Sequence, residues 1–386
     1  MFQYYQPSKI IFGQGELEKL PEVVSGYGSR CLLVTTPHAE PLDKLFNRVK
    51  ELLSSADIEV IHFDKVLPNP TVEIVNEGHE AARAGKVDFV LAVGGGSSID
   101  TAKVIALTNG LSSIDWDDLL TNYSNPFAHY EALSDKKLPL IAVPTTSGTG
   151  SQVTQAAVIT RGKEKITIFH QDNFSKQCII DPELMATLPW KVTAATGFDA
   201  FTHAFESYIN KKASAFTEIQ SLKAMELVIR FLPKALEEGK NIEYRKQLAI
   251  ADTLAGCSLA NSGASAPHPL SEIIGGVTNI AHGEALAVVF PAFLKKAWRD
   301  YTSKFARVAR LFNQELEEAE EETAAEALHV EVASFLKKVG LCKSLKEFDV
   351  TEEQLSIILE NPVLGFLPFG NKEWLQDIIR DSFEEK

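Results

Sequence analysis

The chain has 386 residues, 45% of them hydrophobic, and carries a formal net charge of −14. Its length supports two cores rather than one, and its acidic balance argues against nucleic acid or an anionic membrane as partner, since both require basic patches. No apolar run reaches the roughly 18 residues of a membrane-spanning helix, residues 1–7 lack the basic and apolar regions of a signal peptide, and four scattered cysteines without a CxxC pair suit a reducing cytoplasm.

The first half alternates apolar runs with helical patterns. Residues 31–36 read as a buried strand, 42–53 as an amphipathic helix, 58–63 as a second strand and 72–84 as a second helix. Residues 89–93 and 140–143 give two further strands. This rhythm predicts a mostly parallel sheet covered by helices, whose ligands bind beyond the carboxyl ends of the strands. Two loops stand at such ends. Gly94-Gly95-Gly96-Ser97-Ser98-Ile99-Asp100 lies between the third strand and a helix at 101–107. Its glycines let backbone amides approach an anion, and the helix start adds partial positive charge suited to a pyrophosphate. It is not the GxGxxG fingerprint, and the same residues also suit a tight turn with no ligand. The second loop, Pro144-Thr145-Thr146-Ser147-Gly148-Thr149-Gly150-Ser151, offers hydroxyls to ribose, phosphate or a nicotinamide ring, or is simply a polar surface loop.

After Asp181-Pro182-Glu183-Leu184 and Leu188-Pro189-Trp190 the pattern changes. Helical periodicity runs through 200–209, 216–231, 244–260, 284–298, 303–311 and 323–339, with no convincing strand. The chain therefore divides into a domain at 1–187 and a helical domain at 188–386.

Four residues of the second half form a candidate metal site: Asp199, His203, His268 and His282. Asp199 and His203 are four apart in a helical pattern, so they share one face. His268 and His282 lie fourteen apart, about 21 Å on an unbroken helix, so the chain must turn between them if both bind one ion. Gly275-Gly276 followed by Val277-Thr278-Asn279 supplies the expected break, with a new helix starting near His282-Gly283-Glu284. One carboxylate and three imidazoles suit iron(II) or zinc. Taken singly, each of these histidines is more ordinarily a surface or core residue.

Together these residues resemble the iron-containing (group III, iron-activated) alcohol dehydrogenase family over nearly the whole chain. The resemblance is carried by Pro7-Ser8-Lys9-Ile10-Ile11-Phe12-Gly13-Gln14-Gly15, Pro68-Asn69-Pro70-Thr71, the GGGSSIDTAK stretch at 94–103, Pro144 to Gly150, and Asp181-Pro182-Glu183-Leu184. Gly197-Phe198-Asp199-Ala200 with His203, and His282-Gly283, complete the series. It implies an α/β plus all-α chain, with an N-terminal parallel-sheet dinucleotide-binding domain and a C-terminal all-helical metal-binding domain, as in dehydroquinate synthases. It implies Asp199, His203, His268 and His282 as ligands of Fe2+, Zn2+ or another divalent metal. Gly94, Gly95, Gly96 and Ser97 are implied at the pyrophosphate, Asp100, Thr145, Thr146 and Thr149 near the nicotinamide and its ribose, and Lys165 near the ribose.

The sequence departs from the family at three places. Glu272 stands where members commonly carry a histidine thought to relay a proton; a carboxylate can relay, select substrate or cap a helix. Thr149-Gly150-Ser151-Gln152 replaces the common TGSE. Around Thr36, at Thr35-Thr36-Pro37-His38, no acid holds a ribose 2′-hydroxyl, which leans toward NADP over NAD.

The reaction implied is reversible hydride transfer between a nicotinamide and a small alcohol or aldehyde held on the metal. Polyol dehydrogenases and dehydrogenases of hydroxy-acid, phosphonate or sulfonate aldehydes fit the same pattern. A dehydroquinate synthase-type lyase is the rival from another class; the segments around Asp199 and His268 lack the basic groups it needs. A cytoplasmic homo-oligomer, dimer or larger, is expected.

Overall fold

Runs of β-branched and aliphatic residues between helical segments become strands in this chain, and their order fixes the sheet. In the computed structural model, which describes residues 2–162 and 164–384, the strands are β1 (Lys9–Phe12), β2 (Arg30–Val34), β3 (Glu59–Phe63), β4 (Phe89–Gly94), β5 (Leu140–Pro144), β6 (Ala156–Arg161), β7 (Glu164–Phe169) and β8 (Gln177–Ile180). Six of them form one sheet in the order β1-β8-β5-β4-β2-β3, parallel at each pairing. The helices between them are α1 (Leu20–Val24), α2 (Leu42–Ser55), α3 (Val72–Gly85), α4 (Gly96–Thr108) and α5 (Trp116–Asn122). β4 and β5 are buried along their whole length, as parallel strands covered on both faces are.

The sequence reading finds β2 to β5 but not β1, β8 or the antiparallel hairpin β6–β7. β1 and β8 are four residues each, too short for a periodic signal. The hairpin turns at Gly162, with φ of 63°.

From residue 190 onward the described residues hold only helices and turns. They are α6 (Trp190–Ile209), α7 (Ala215–Glu237), α8 (Ile242–Ser262), α9 (Pro267–Thr278), α10 (His282–Ala297), α11 (Thr302–Phe312), α12 (Glu321–Lys338), α13 (Glu352–Leu359) and α14 (Lys372–Glu384). The chain forms two compact units, one of Gln3–Leu188 with Lys240–Ala249, the other of Pro189–Gly239 with Ile250–Lys386.

In the second unit α6 is two-faced. Phe198, Phe201 and Phe205 follow i, i+3, i+7 spacing and pack with Phe290 and Phe305 into a buried aromatic cluster. Asp199, His203 and Glu206 follow i, i+4, i+7 spacing on another face. The core thus fixes α6 and, with it, the direction of its polar stripe.

The expected break at 275–279 narrows to its last residue. Gly275 and Gly276 stay helical within α9, and the chain turns at Asn279 instead. Asn279 is left-handed, with φ of 61°, and its N–H donates to Gly275 O at 2.9 Å. Asparagine tolerates that conformation, so the helix runs on to Thr278 before the break.

Candidate metal and cofactor sites

α6, α9 and α10 bring three of the four predicted ligands into one group, and His203 adjoins it. Asp199, His268 and His282 each offer a ligand atom within 4.8 Å of the others. Asp199 Oδ1 lies 3.5 Å from His268 Nε2, 3.6 Å from His282 Nε2 and 3.7 Å from His203 Nδ1. The His203 ring stacks on that of His268, centroids 4.4 Å apart. Gly283 explains how α10 reaches α6: a Cβ there would sit 2.3 Å from Ala195 O. Only glycine permits that approach, and it sets His282 beside Asp199.

The hydrogen bonds show which ring nitrogens carry protons. His268 Nδ1 lies 2.6 Å from the buried Glu206 Oε1, whose other oxygen accepts from Ser265 N at 2.6 Å. A carboxylate only accepts, so Nδ1 donates and the neutral ring keeps its lone pair on Nε2. Ser271 Oγ donates to His268 O at 2.7 Å and must therefore accept from His282 Nδ1 at 3.2 Å. The lone pair of His282 is then on Nε2 too. With both rings neutral, two lone pairs and a carboxylate oxygen face one another, the oxygen 3.5 and 3.6 Å from the nitrogens. Asp199 Oδ1 and His268 Nε2 are buried without a hydrogen-bond partner.

A cation resolves this arrangement. Ligands about 2.1 Å from a tetrahedral ion stand about 3.4 Å apart, close to the spacings seen. Charge preferences agree. Burial alone would raise the Asp199 carboxyl, but His203, His268 and His282 hold it at about 2. Burial alone would lower His268, but Glu206 and Asp199 push it up to about 10. The Glu206 carboxyl is also raised, by burial. Without a cation His268 therefore takes up a proton, while Glu206 rises by burial against the lowering pull of His268.

Glu206 and Ser271 escaped the sequence reading. Both were signalled by spacing, since Glu206 lies three residues after His203 and Ser271 three after His268. Glu272 lies one turn beyond His268 on α9 and is half-buried.

In the first unit β4 ends at Gly94, Gly95 caps α4, and Gly96 and Ser97 form its first turn. A Cβ on Gly95 would meet Thr146 Cγ2 at 3.1 Å, and one on Gly96 would meet Thr149 Cγ2 at 2.7 Å. Thr145 N donates to Gly94 O at 3.0 Å. The two expected cofactor loops therefore touch, with helix-start amides at their junction. Thr36 follows β2, and Lys165 stands opposite Thr160 on the β6–β7 hairpin.

Asp100 was expected at the nicotinamide ribose, but the structure turns it inward. Its Oδ1 accepts from Ser151 Oγ at 2.5 Å and its Oδ2 from Val158 N at 2.9 Å. Lys103, fully buried, lies 3.6 Å from Oδ1 and donates to Ala156 O at 2.6 Å and Thr154 Oγ1 at 3.2 Å. Burial pushes the pair toward neutrality, Asp100 up and Lys103 down to about 8.

A parallel-sheet unit with a glycine-rich helix start and a helical unit with an Asp/His metal cluster are the two parts of a metal-dependent nicotinamide dehydrogenase. Comparison with known proteins agrees. Residues 7–182 match the family described as iron-containing alcohol dehydrogenase, and residues 193–375 its C-terminal region. The chain is 37% identical to a choline dehydrogenase of Bacillus subtilis (strain 168), over 83% of this chain and 79% of that one. It is 30% identical to an NAD-dependent methanol dehydrogenase of Bacillus methanolicus, over 94% and 93%. An archaeal alcohol dehydrogenase from a Red Sea brine pool superposes with a TM-score of 0.90 at 31% identity, covering 99% of both chains. The chain belongs to the iron-containing alcohol dehydrogenase family, and it is a metal-dependent, nicotinamide-linked oxidoreductase acting on alcohols. Among the described residues no helix is long and apolar enough to cross a membrane.

Proposed function

We propose that residues 188–386 hold iron(II) on Asp199, His203, His268 and His282, and that residues 1–187 hold the dinucleotide on Gly94 to Ser97 with Thr145, Thr146 and Thr149. The observation that carries the metal reading is that Asp199 Oδ1 and His268 Nε2, 3.5 Å apart, are both buried without a hydrogen-bond partner, with His282 Nε2 3.6 Å from the same oxygen. The donor set of carboxylate and imidazole, with no thiolate, suits iron(II). A divalent cation there supplies Lewis-acid polarisation of the alcohol or aldehyde oxygen. The chain's residues do the rest: Glu206 and Ser271 fix the tautomers of His268 and His282, and Glu272 receives the alcohol proton.

Glu272 also bears on substrate. A carboxylate one turn from His268 repels anionic substrates, which favours small neutral or cationic alcohols over hydroxy acids, phosphonates and sulfonates. Dinucleotide choice falls on NAD. The uncharged Thr36 alone leans to NADP. Asp43 and Asp64, however, flank His38 just past β2 and β3, where such sheets take the ribose, and a 2′-phosphate there meets like charge. A cytoplasmic location is supported by four free cysteines, and self-association by the exposed Phe2, Phe216 and Ile219.

The test is a panel of short neutral, cationic and anionic aldehydes, each with NADH and NADPH, on iron-loaded protein. The expected result is turnover of neutral or cationic members with NADH. Faster turnover of an anionic aldehyde, or preference for NADPH, would overturn the corresponding part.

A further inference from the structure

A second group of metal-type side chains stands in the first unit, away from Asp199 in sequence and in the other half of the chain. His38, His62 and Asp64 each offer a ligand atom within 4.8 Å of the others. The fold makes this group in two steps. β2 and β3 pair in parallel with Leu33 opposite His62 and Val34 opposite Phe63, so the segment after Val34 runs beside His62. His62 and Asp64 are two residues apart at the end of β3, which puts both on one face of the strand. His38 then closes the group from the β2–α2 segment.

Each imidazole is held from behind. His38 Nδ1 lies 3.0 Å from Asp43 Oδ1, so it donates and leaves a lone pair on Nε2, which lies 4.0 Å from Asp64 Oδ2. Thr35 Oγ1 donates to Thr36 O at 2.7 Å and therefore accepts from His62 Nε2 at 2.9 Å, which leaves the lone pair of His62 on Nδ1. A carboxylate or hydroxyl behind each ring is how metal-binding histidines are oriented. The rings are also fixed by packing: both stand edge-on to the buried Phe46, at 5.8 and 6.1 Å, and at 82° to each other.

A surface ion pair accounts for less of this. Asp43 already answers the N–H of His38, and Asp64 faces the nitrogen that carries no proton. Anion binding fares worse, because Asp43 and Asp64 bring two carboxylates. The 4.0 Å gap exceeds the roughly 3.4 Å between ligands of a tetrahedral ion by about half an ångström, a shift that side chains about two-fifths exposed can make.

We propose that His38, His62 and Asp64 form a second, solvent-facing site for a borderline divalent cation of the zinc class, with water completing its coordination. Two imidazoles and one carboxylate select zinc, cobalt or nickel over calcium and magnesium. The site sits at the carboxyl edge of β2 and β3, where the ribose is proposed to lie, so the cation and the dinucleotide exclude each other there and the titration is made without dinucleotide.

The test titrates zinc sulfate into iron-loaded protein by calorimetry, comparing wild type with His38→Gln, His62→Gln and Asp64→Asn. Wild type should take up one zinc per chain more than His38→Gln, and each variant should bind that zinc at least about tenfold more weakly. Asp43→Asn, acting through His38, should weaken it by roughly 10–100-fold, as removal of an outer partner does. Because His38 is exposed, its variant folds regardless of what His62→Gln does to β3. Equal zinc uptake by wild type and His38→Gln overturns the proposal, as does displacement of the bound zinc by an equal concentration of magnesium. Iron content should stay the same in every variant, which separates this site from the Asp199 cluster.

Discussion

Asp100 and Asp199 are both buried carboxylates set among basic side chains, one in each unit, yet their surroundings end differently. Around Asp100 the chain supplies the partners: Ser151 and Val158 satisfy its two oxygens, and Lys103 is satisfied by Ala156 and Thr154. Around Asp199 three imidazole nitrogens converge on one oxygen at 3.5–3.7 Å, and that oxygen has no hydrogen-bond partner. The first cluster is closed and acts as a structural tie between α4 and the segment leading into β6. The second is open and needs something the chain does not provide. Burial is alike in the two places; the hydrogen bonds, made at Asp100 and missing at Asp199 Oδ1, separate them.

The sharpest way to break this distinction is to remove a ligand. His268→Ala deletes a lone pair and strands the Glu206 carboxylate. Metal content should be lost and alcohol turnover should fall more than about a hundredfold, beyond what losing an outer partner does. Elemental analysis and a dinucleotide-linked assay on the same sample decide it; full turnover without metal would end the reading of this cluster.

The closed cluster should respond in stability instead. Lys103→Met leaves Asp100 buried without its cation, which costs about 3–5 kcal/mol. The double change Asp100→Asn with Lys103→Met should recover most of that loss, because no charge remains to compensate. Urea denaturation of the three proteins measures it, and metal content should be unchanged throughout.

Between these extremes lies Glu206, which touches His268 rather than the metal. Glu206→Gln keeps the shape, but the amide must turn an N–H toward either Ser265 N or His268 Nδ1, both donors. Metal affinity should drop about 10–100-fold, measured by competition with a chelator. An unchanged affinity would mean that the orientation of His268 is set elsewhere.

How much of this was legible in the sequence follows from what each feature depends on. The Asp199–His203 pair and the glycine loop are local patterns, and the fold honours both. The meeting of His268 with His282 was legible only as a requirement for a turn. Within the expected break at 275–279 the glycines stay helical and Asn279 makes the turn. The inward turn of Asp100 was not legible, because it depends on Ser151 and Val158, more than fifty residues away. β1 and β8 escaped because four-residue strands take their identity from the sheet they join. Glu206 was readable as the third member of the α6 stripe.

An unmet nitrogen alone does not make a metal site, and His79 sharpens that limit. It is buried between α3 and α4, with Nδ1 3.1 Å from Thr108 Oγ1. That hydroxyl donates to Val104 O at 2.7 Å, so His79 donates to it from Nδ1. Nε2 is buried without a hydrogen-bond partner, as His268 Nε2 is, but no carboxylate converges on it. Its pKa is lowered, first by burial and then by Arg83, the opposite of His268. The folded chain thus refuses a proton that the unfolded chain accepts near pH 6.5. The contribution of His79 to stability is present above that pH and is lost as pH falls below it. His79→Leu removes the titration and one hydrogen bond worth about 1 kcal/mol. The variant should melt slightly lower than wild type at pH 7.5, and the gap should narrow at pH 5.5, as read by thermal denaturation of the metal-loaded proteins. A gap that stays constant across that range would show that His79 takes up its proton in the folded state, and the contrast with His268 would then fail.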